Sequence, residues 1–265
     1  MTHSVQKAVI PVAGLGKRLW PATKILPKEF LPIGTKPSIY FILEELTQSR
    51  LKEAVLITSP EKKSYLEHLP DVFPNLQFHF VEQKEPLGLG HAVGLSEKIV
   101  AGESFLVLLP DDIVDHTKTA STQLLEIFQK TKKSVSAAKK VSKAETSAYG
   151  IYDVTSAQGK CRRVQGVVEK PHPDEAPSNL AIFGRYLFTS NIFKHLQNTS
   201  KGRNGEIQLA DAMHTLAKTD QLDALELEGK LFDIGNPEGL ARANLYFGIK
   251  EHGDSIHQGI ISSPR

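Results

Sequence analysis

Apolar runs and amphipathic stretches alternate along the first half of the chain. Residues 7–13 (KAVIPVA) form a short apolar run that ends in Gly14-Leu15-Gly16. Such a run predicts a buried strand breaking into a glycine turn. A polar, proline-containing stretch follows to about Lys36, and Pro37 opens a predicted helix, a position that proline favours. Ile39, Ile42, Leu43 and Leu46 recur at the i, i+3, i+4, i+7 spacing of one buried helical face. Residues 54–58 (AVLIT) and 77–81 predict further strands, and 61–69 and 90–100 predict helices. Residues 105–109 (FLVLL) suit a central strand covered on both faces. The alternation predicts an α/β fold: a Rossmann-like mixed, mostly parallel sheet with helices on both faces.

The rhythm changes after about residue 133. Residues 134–140, 150–154, 162–169 and 180–188 read as strands with few helices between them, so antiparallel strands or a small subsheet are expected. Two helices return later. One carries the stripe Leu209, Ala210, Met213 and Leu216; the other starts at Asn236-Pro237 and buries Leu240, Ala243 and Phe247. A single domain over 1–250 is expected, followed by a polar, loosely held tail over 251–265.

Composition removes several function classes. A chain of 265 residues with 40% hydrophobic and 23% charged residues is long enough to bury a core. Its formal net charge of +2 lacks the basic surplus of a general nucleic-acid binder. The single cysteine, Cys161, permits neither an internal disulfide nor a multi-cysteine metal site. No window approaches the roughly 18 apolar residues of a membrane span, and no charged-then-apolar leader opens the sequence. A soluble, cytoplasmic protein is expected, with neither nucleic acid nor membrane as partner.

The segment 14–36 holds Lys17, Arg18, Lys24, Lys28 and Lys36, opposed only by Glu29. A glycine turn after a strand lets backbone N–H groups approach an anion, and the cations complete a site for a polyphosphate. A solvated basic loop is the other reading these residues allow. Two familiar phosphate motifs fail. Leu19 occupies the third glycine place of the dinucleotide fingerprint, and Gly16-Lys17 is followed by Arg18 with no glycine five residues earlier, so no P-loop forms. Lys130, Lys132, Lys133, Lys139, Lys140 and Lys143 read as a solvated face, since no aromatic residues interleave with them. Neither an H-E-x-x-H pair nor a G-x-S-x-G elbow occurs.

Residues 13–33, AGLGKRLWPATKILPKEFLPI, resemble the signature of the nucleotidyl-transferring sugar pyrophosphorylases, a G-x-G-T-R run followed by a lysine in a P-K-E context. Four further segments match in order: VEQKEPLGLGHA (81–92), FLVLLPDDIVD (105–115), GVVEKPHPDEAPSNLAIFGRY (166–186) and GEIQLADA (205–212). Asp233-Ile234-Gly235 looks like the late D-x-G. The match spans about residues 5–247 and is strongest to the branch that joins UTP to glucose 1-phosphate, giving UDP-glucose and pyrophosphate.

The resemblance implies a nucleotide-diphospho-sugar transferase fold, with residues 5–133 holding the nucleotide and 134–250 the sugar. It implies that Arg18, Lys28 and Lys170 act on the phosphates, and that Ala13, Gly14, Gly16, Lys17, Gln83 and Gly88 hold the nucleotide. Gly150, Glu169 and Asn179 would face the sugar, and Asp111 and Asp233 would hold Mg2+. Asp112 is expected to point elsewhere, and His91 to have a peripheral role. A homo-oligomer, dimer or tetramer, is expected as well. The sequence departs from the family pattern at Lys17, where threonine is usual, at Ile234, where cysteine is common, and between Leu69 and Gln77, where a longer helical insertion is replaced by a loop. Thymidylyl transfer, another sugar 1-phosphate, and a catalytically silent nucleotide-sugar-binding subunit are the rival expectations.

Overall fold

Lys7–Pro11 forms β1, and four of its five residues are buried. The computed structural model describes residues 5–202, 205–219 and 221–253. The remaining strands are β2 (Pro32–Ile33), β3 (Lys36–Pro37), β4 (Glu53–Thr58), β5 (Gln77–Glu82), β6 (Phe105–Leu108), β7 (Asp112–Asp115), β8 (Ser134–Lys140), β9 (Gly150–Gln158), β10 (Cys161–Glu169), β11 (Leu180–Phe188), β12 (Leu222–Glu226) and β13 (Lys230–Asp233). The helices are α1 (Ser38–Gln48), α2 (Lys63–Leu66), α3 (Leu69–Val72), α4 (Leu89–Gly94), α5 (Glu97–Val100), α6 (Ala120–Thr131), α7 (Asn191–Gln197), α8 (Leu209–Ala217) and α9 (Pro237–His252).

Nine strands make one sheet in the order β5-β4-β1-β6-β11-β8-β12-β10-β9. The first four are mutually parallel, and β8 and β12 are parallel to each other. Only β10 and β11 run against the rest, so the antiparallel strands extend the main sheet instead of forming a separate one. Side-chain alternation divides the core. Val9, Val55 and Val107 face α4, α7 and α8, whereas Ile10, Leu56 and Leu108 face α1 and α6. The FLVL strand is fully buried because it is covered on both sides.

The predicted face of α1 is realised: Ile39, Ile42, Leu43 and Leu46 are completely buried. The stripe of α8 is buried too. Several local expectations are corrected, among them the helix over 90–100, which is two short helices, α4 and α5. The single helix over 61–69 is interrupted: a 3-10 turn leads into α2, and a separate α3 starts at Leu69. Accordingly the stretch before Gln77 is not all loop, since Pro70 falls in the first turn of α3, where its missing N–H costs nothing. The helix α9 runs to His252, two residues into the expected tail. Residues 254–265 of that tail lie outside the described residues.

A two-stranded ribbon, β7 with β13, stands apart from the main sheet and pairs Asp112 with Asp233. It rests on a third small core in which Ile113 and Ile234 meet Ala243 and Phe247 of α9. The start of α9 is fixed by Asn236, whose side chain accepts from the Gly239 N–H.

Candidate active site

A cleft opens where β1, β5 and β6 end, the usual location for ligands of an open α/β sheet. It has two adjoining chambers. The first, about 440 Å³, is lined by Ala13, Gly14, Gly16, Lys17, Lys28, Gln83 and Gly88, among others. The second, about 740 Å³, is lined by Arg18, Tyr149, Gly150, Glu169, Lys170 and Asp233, among others. Asp111 borders both. Every residue assigned from the sequence to phosphate, nucleotide, sugar or metal therefore lines this cleft except Asn179. That residue is exposed in the turn before β11, and its carbonyl accepts from the Val141 N–H.

Local backbone explains the first chamber. Gly16 has φ 65°, and a Cβ there would press on Thr23 and Lys28 at 3.2 Å. Gly88, at φ 95°, has even less room, with the Ile207 carbonyl 2.7 Å from the position of a Cβ. The segment after Gly205 is stapled across this glycine: Ile207 N–H donates to the Leu87 carbonyl, and Gly90 N–H to the Ile207 carbonyl, both at 2.8 Å. Gln83 is buried, and its amide nitrogen lies 2.9 Å from His91 Nδ1 and 3.2 Å from the Gly88 carbonyl. His91 thus orients Gln83 from behind.

Asp111 follows β6 and is held in place by the ribbon, since Ile234 N–H donates to its carbonyl at 2.8 Å. Lys28 Nζ donates to Asp111 Oδ2 at 2.7 Å, and Arg18 Nη2 lies 3.9 Å from the same oxygen. Burial works against both charges of the first pair. The Lys28 ammonium nevertheless holds the Asp111 carboxyl below its usual range, and Asp111 with Glu29 holds Lys28 above its own. Asp233 receives the Gly235 N–H on Oδ1 at 3.0 Å and the Tyr149 hydroxyl on Oδ2 at 3.1 Å.

The two acids converge on Gly235. A Cβ on Gly235 would stand 2.8 Å from Asp111 Oδ2, 3.1 Å from Asp233 Oδ1 and 2.7 Å from Arg18 Nη2. Two carboxylate oxygens converging beside the Gly235 backbone, with Arg18 next to them, fit the needs of Mg2+, which takes few carboxylates and completes its octahedron with water and phosphate oxygens. Among the described residues no cluster of three or more metal-ligating side chains occurs.

Two sequence expectations change here. Asp112 does not point away: it lines the second chamber, and its Oδ2 accepts from the Gly184 N–H at 2.8 Å. Burial, with the charges of Asp111 and Asp233 beside it, pushes its carboxyl up to about 7. Lys139 does not belong to a solvated face. Its ammonium lies 4.0 Å from the Tyr149 ring centroid and 5.6 Å from that of Phe183. Tyr149 itself was not singled out, and neither was the fully buried Arg185, which grips Glu45 and donates to the Leu109 and Gly184 carbonyls at 3.0 Å. The AYG (148–150) and GRY (184–186) segments carry the two residues, but the sequence marked only the glycine of the first.

Residues 7–248 match the family described as nucleotidyl transferase. The chain belongs to that family. Among its relatives, the nucleotidyl transferase from Bacillus subtilis named UTP–glucose-1-phosphate uridylyltransferase is 38% identical, over 93% of this chain and 92% of that protein. A second, from Staphylococcus saprophyticus, bears the same name with the suffix 2; it is 37% identical over 98% and 96%. A solved UDP-glucose pyrophosphorylase complexed with UDP-glucose superposes with a TM-score of 0.88 at 34% identity, covering 93% of this chain and all of that one. The UTP-bound enzyme from Acinetobacter baumannii gives 0.85 at 31%, covering 98% and 100%. The nucleotidyl transferase fold expected from the sequence is therefore the one present. Among the described residues no helix is long and apolar enough to cross a membrane.

Proposed function

We propose that this nucleotidyl transferase is a UTP–glucose-1-phosphate uridylyltransferase. The observation that carries the reading is the position of Asp111 on the border of two chambers, with Lys17 and Lys28 on one side and Arg18, Glu169 and Lys170 on the other. The names of relatives 37–38% identical over most of the chain supply the substrates.

The first chamber would take UTP. Backbone N–H groups around Gly14 and Gly16 approach the triphosphate, Lys17 adds a cation where the family usually has threonine, and Gln83 meets the polar edge of the base. The second chamber would take glucose 1-phosphate, with Glu169 accepting from sugar hydroxyls and Lys170 meeting the phosphate. A phosphate oxygen of the sugar attacks the α-phosphorus, and the bond from that phosphorus to the departing pyrophosphate breaks. The attacking oxygen is already anionic, so no strong base is needed. Catalysis consists of holding two repelling anions in line and offsetting the charge that develops. Arg18 and Lys28 do so directly. Asp111 and Asp233 would hold Mg2+, which when bound neutralises charge on phosphate oxygens.

Pyrophosphate release with UTP and glucose 1-phosphate in Mg2+ tests the reading. Release with UTP and glucose 1-phosphate well above that with dTTP or with other hexose phosphates is expected. A preference for dTTP would assign the thymidylyl reaction, and nucleotide-sugar binding without turnover the silent subunit. A cytoplasmic homo-oligomer, dimer or tetramer, belongs to the same reading, and light scattering reads its size.

A further inference from the structure

Lys62 lines neither chamber, yet its buried ammonium is saturated by the loop that builds the first one. Nζ donates to the Val12 carbonyl at 2.7 Å, to the Gly14 carbonyl at 2.5 Å and to Glu29 Oε2 at 2.9 Å. Val12 and Gly14 lie where the chain enters the loop, and Glu29 lies where it leaves, directly after Lys28. An ammonium has three N–H donors, and here all three are used to close the two ends of one loop on each other.

The pair is an expensive way to fill this space. Glu29 is 1% exposed, and its second oxygen, Oε1, is buried without a hydrogen-bond partner among the described residues. Burying an ion pair recovers little or no stability over an apolar pair of the same volume. An apolar pair, however, would leave the Val12 and Gly14 carbonyls without the donor they now share, and would not fix the separation between them and residue 29.

We propose that Lys62 is a positioning residue: it clamps the glycine turn to Glu29 and so sets where the neighbouring Lys28 stands. The distance that matters is short. A Cβ on Gly16 would stand 3.2 Å from Lys28 Cβ, and Lys28 Nζ must still reach Asp111 at 2.7 Å. With the ammonium gone, the turn and the lysine separate, and the chamber no longer presents backbone donors and a cation at a fixed spacing.

The kinetic part of the test rests on the uridylyltransferase reading; the exchange part does not. Lys62→Met and Lys62→Arg are compared with the unaltered protein. In Lys62→Met, amides of residues 13–30 are expected to exchange at least about tenfold faster while those of β6 stay protected, since hydrogen bonds to a charged group are lost only at the loop. KM for UTP rises or kcat falls about tenfold, with KM for glucose 1-phosphate within about twofold. Lys62→Arg, which keeps charged donors, recovers most of both. Unchanged loop exchange and UTP kinetics in Lys62→Met overturn the proposal. So does a parallel loss of both KM values and global stability that Lys62→Arg does not relieve. If Lys62→Met does not fold, Glu29→Gln, which keeps an acceptor but removes the charge, takes its place: faster loop exchange supports the clamp, and unchanged exchange overturns it. A protein that releases no pyrophosphate from UTP would refute the substrate reading and leave loop exchange to decide the clamp.

Discussion

The Lys28 ammonium lies 2.7 Å from Asp111 Oδ2, and both side chains are more than four-fifths shielded from water. Each keeps the other charged in a place where burial alone would discourage it. Lys28→Met and Asp111→Asn are each expected to cut pyrophosphate release at least ~100-fold, the scale for removing one charge-stabilising group. The double variant should lose far less than the product of the two, because each single change strands the other partner. Steady-state rates of all three variants check this, and near-normal turnover in both singles would refute the assignment of the site.

Gly235 lets Asp111, Asp233 and Arg18 approach its backbone more closely than a side chain would allow. Gly235→Ala is expected to fold, since this glycine is not among the positive-φ positions. Its methyl group would nonetheless displace Arg18, Asp111 or Asp233 by a substantial fraction of an ångström. A displacement of that size costs about 100-fold in rate. Titrating Mg2+ into the pyrophosphate assay should show a higher requirement as well as the lower rate. An unaltered Mg2+ dependence would mean that the acids beside Gly235 hold no metal.

Arg185 of β11 and Glu45 of α1 are a buried pair behind Leu109, where the chain leaves β6. The guanidinium donates to both Glu45 oxygens and to the Leu109 and Gly184 carbonyls, while Ser121 donates to Glu45 from its backbone and its hydroxyl. Arg185→Met leaves a buried carboxylate unpaired and should cost about 3–5 kcal/mol. Replacing Glu45 by Leu in the same chain should restore part of that loss. Denaturant midpoints of the single and double variants measure both effects.

Asp115 accepts from Tyr246 and Lys250 at 2.6 Å, and although burial opposes it, these bonds hold its carboxyl below the ordinary value. A carboxyl with a depressed folded pKa stabilises the protein above its unfolded pKa of about 4 and loses that contribution as pH falls further. Asp115→Asn is therefore expected to be less stable than the parent at pH 7, by about 1 kcal/mol or less. The difference should shrink as pH drops below about 4. Thermal melts at both pH values check the sign.

Periodic elements were readable from sequence because they bury continuous faces. The four aliphatic residues of α1, the FLVL strand and the stripe of α8 each obey one period long enough to register. Most of the cleft was also readable, through the motifs that place Lys28, Asp111 and Asp233. The ribbon that brings the acids together was not, since a four-residue ladder such as β7 or β13 has no measurable periodicity. Lys139 misled for a related reason: it is followed by Lys140 in a basic run, yet strand alternation turns its side chain onto the Tyr149 ring. The roles of Tyr149, Lys62 and Arg185 depend on partners 33 to 140 positions away and leave no local trace.

Asp233 sits on a ribbon packed against α9, the last described helix, so the second acid is held at the centre through contacts made more than 100 residues after Asp111 in the chain's third core. A shortened product that stops before residue 230 would retain every residue of the first chamber and still lack half of the carboxylate pair. The packing of α9 and the convergence of the two acids are thereby parts of one arrangement.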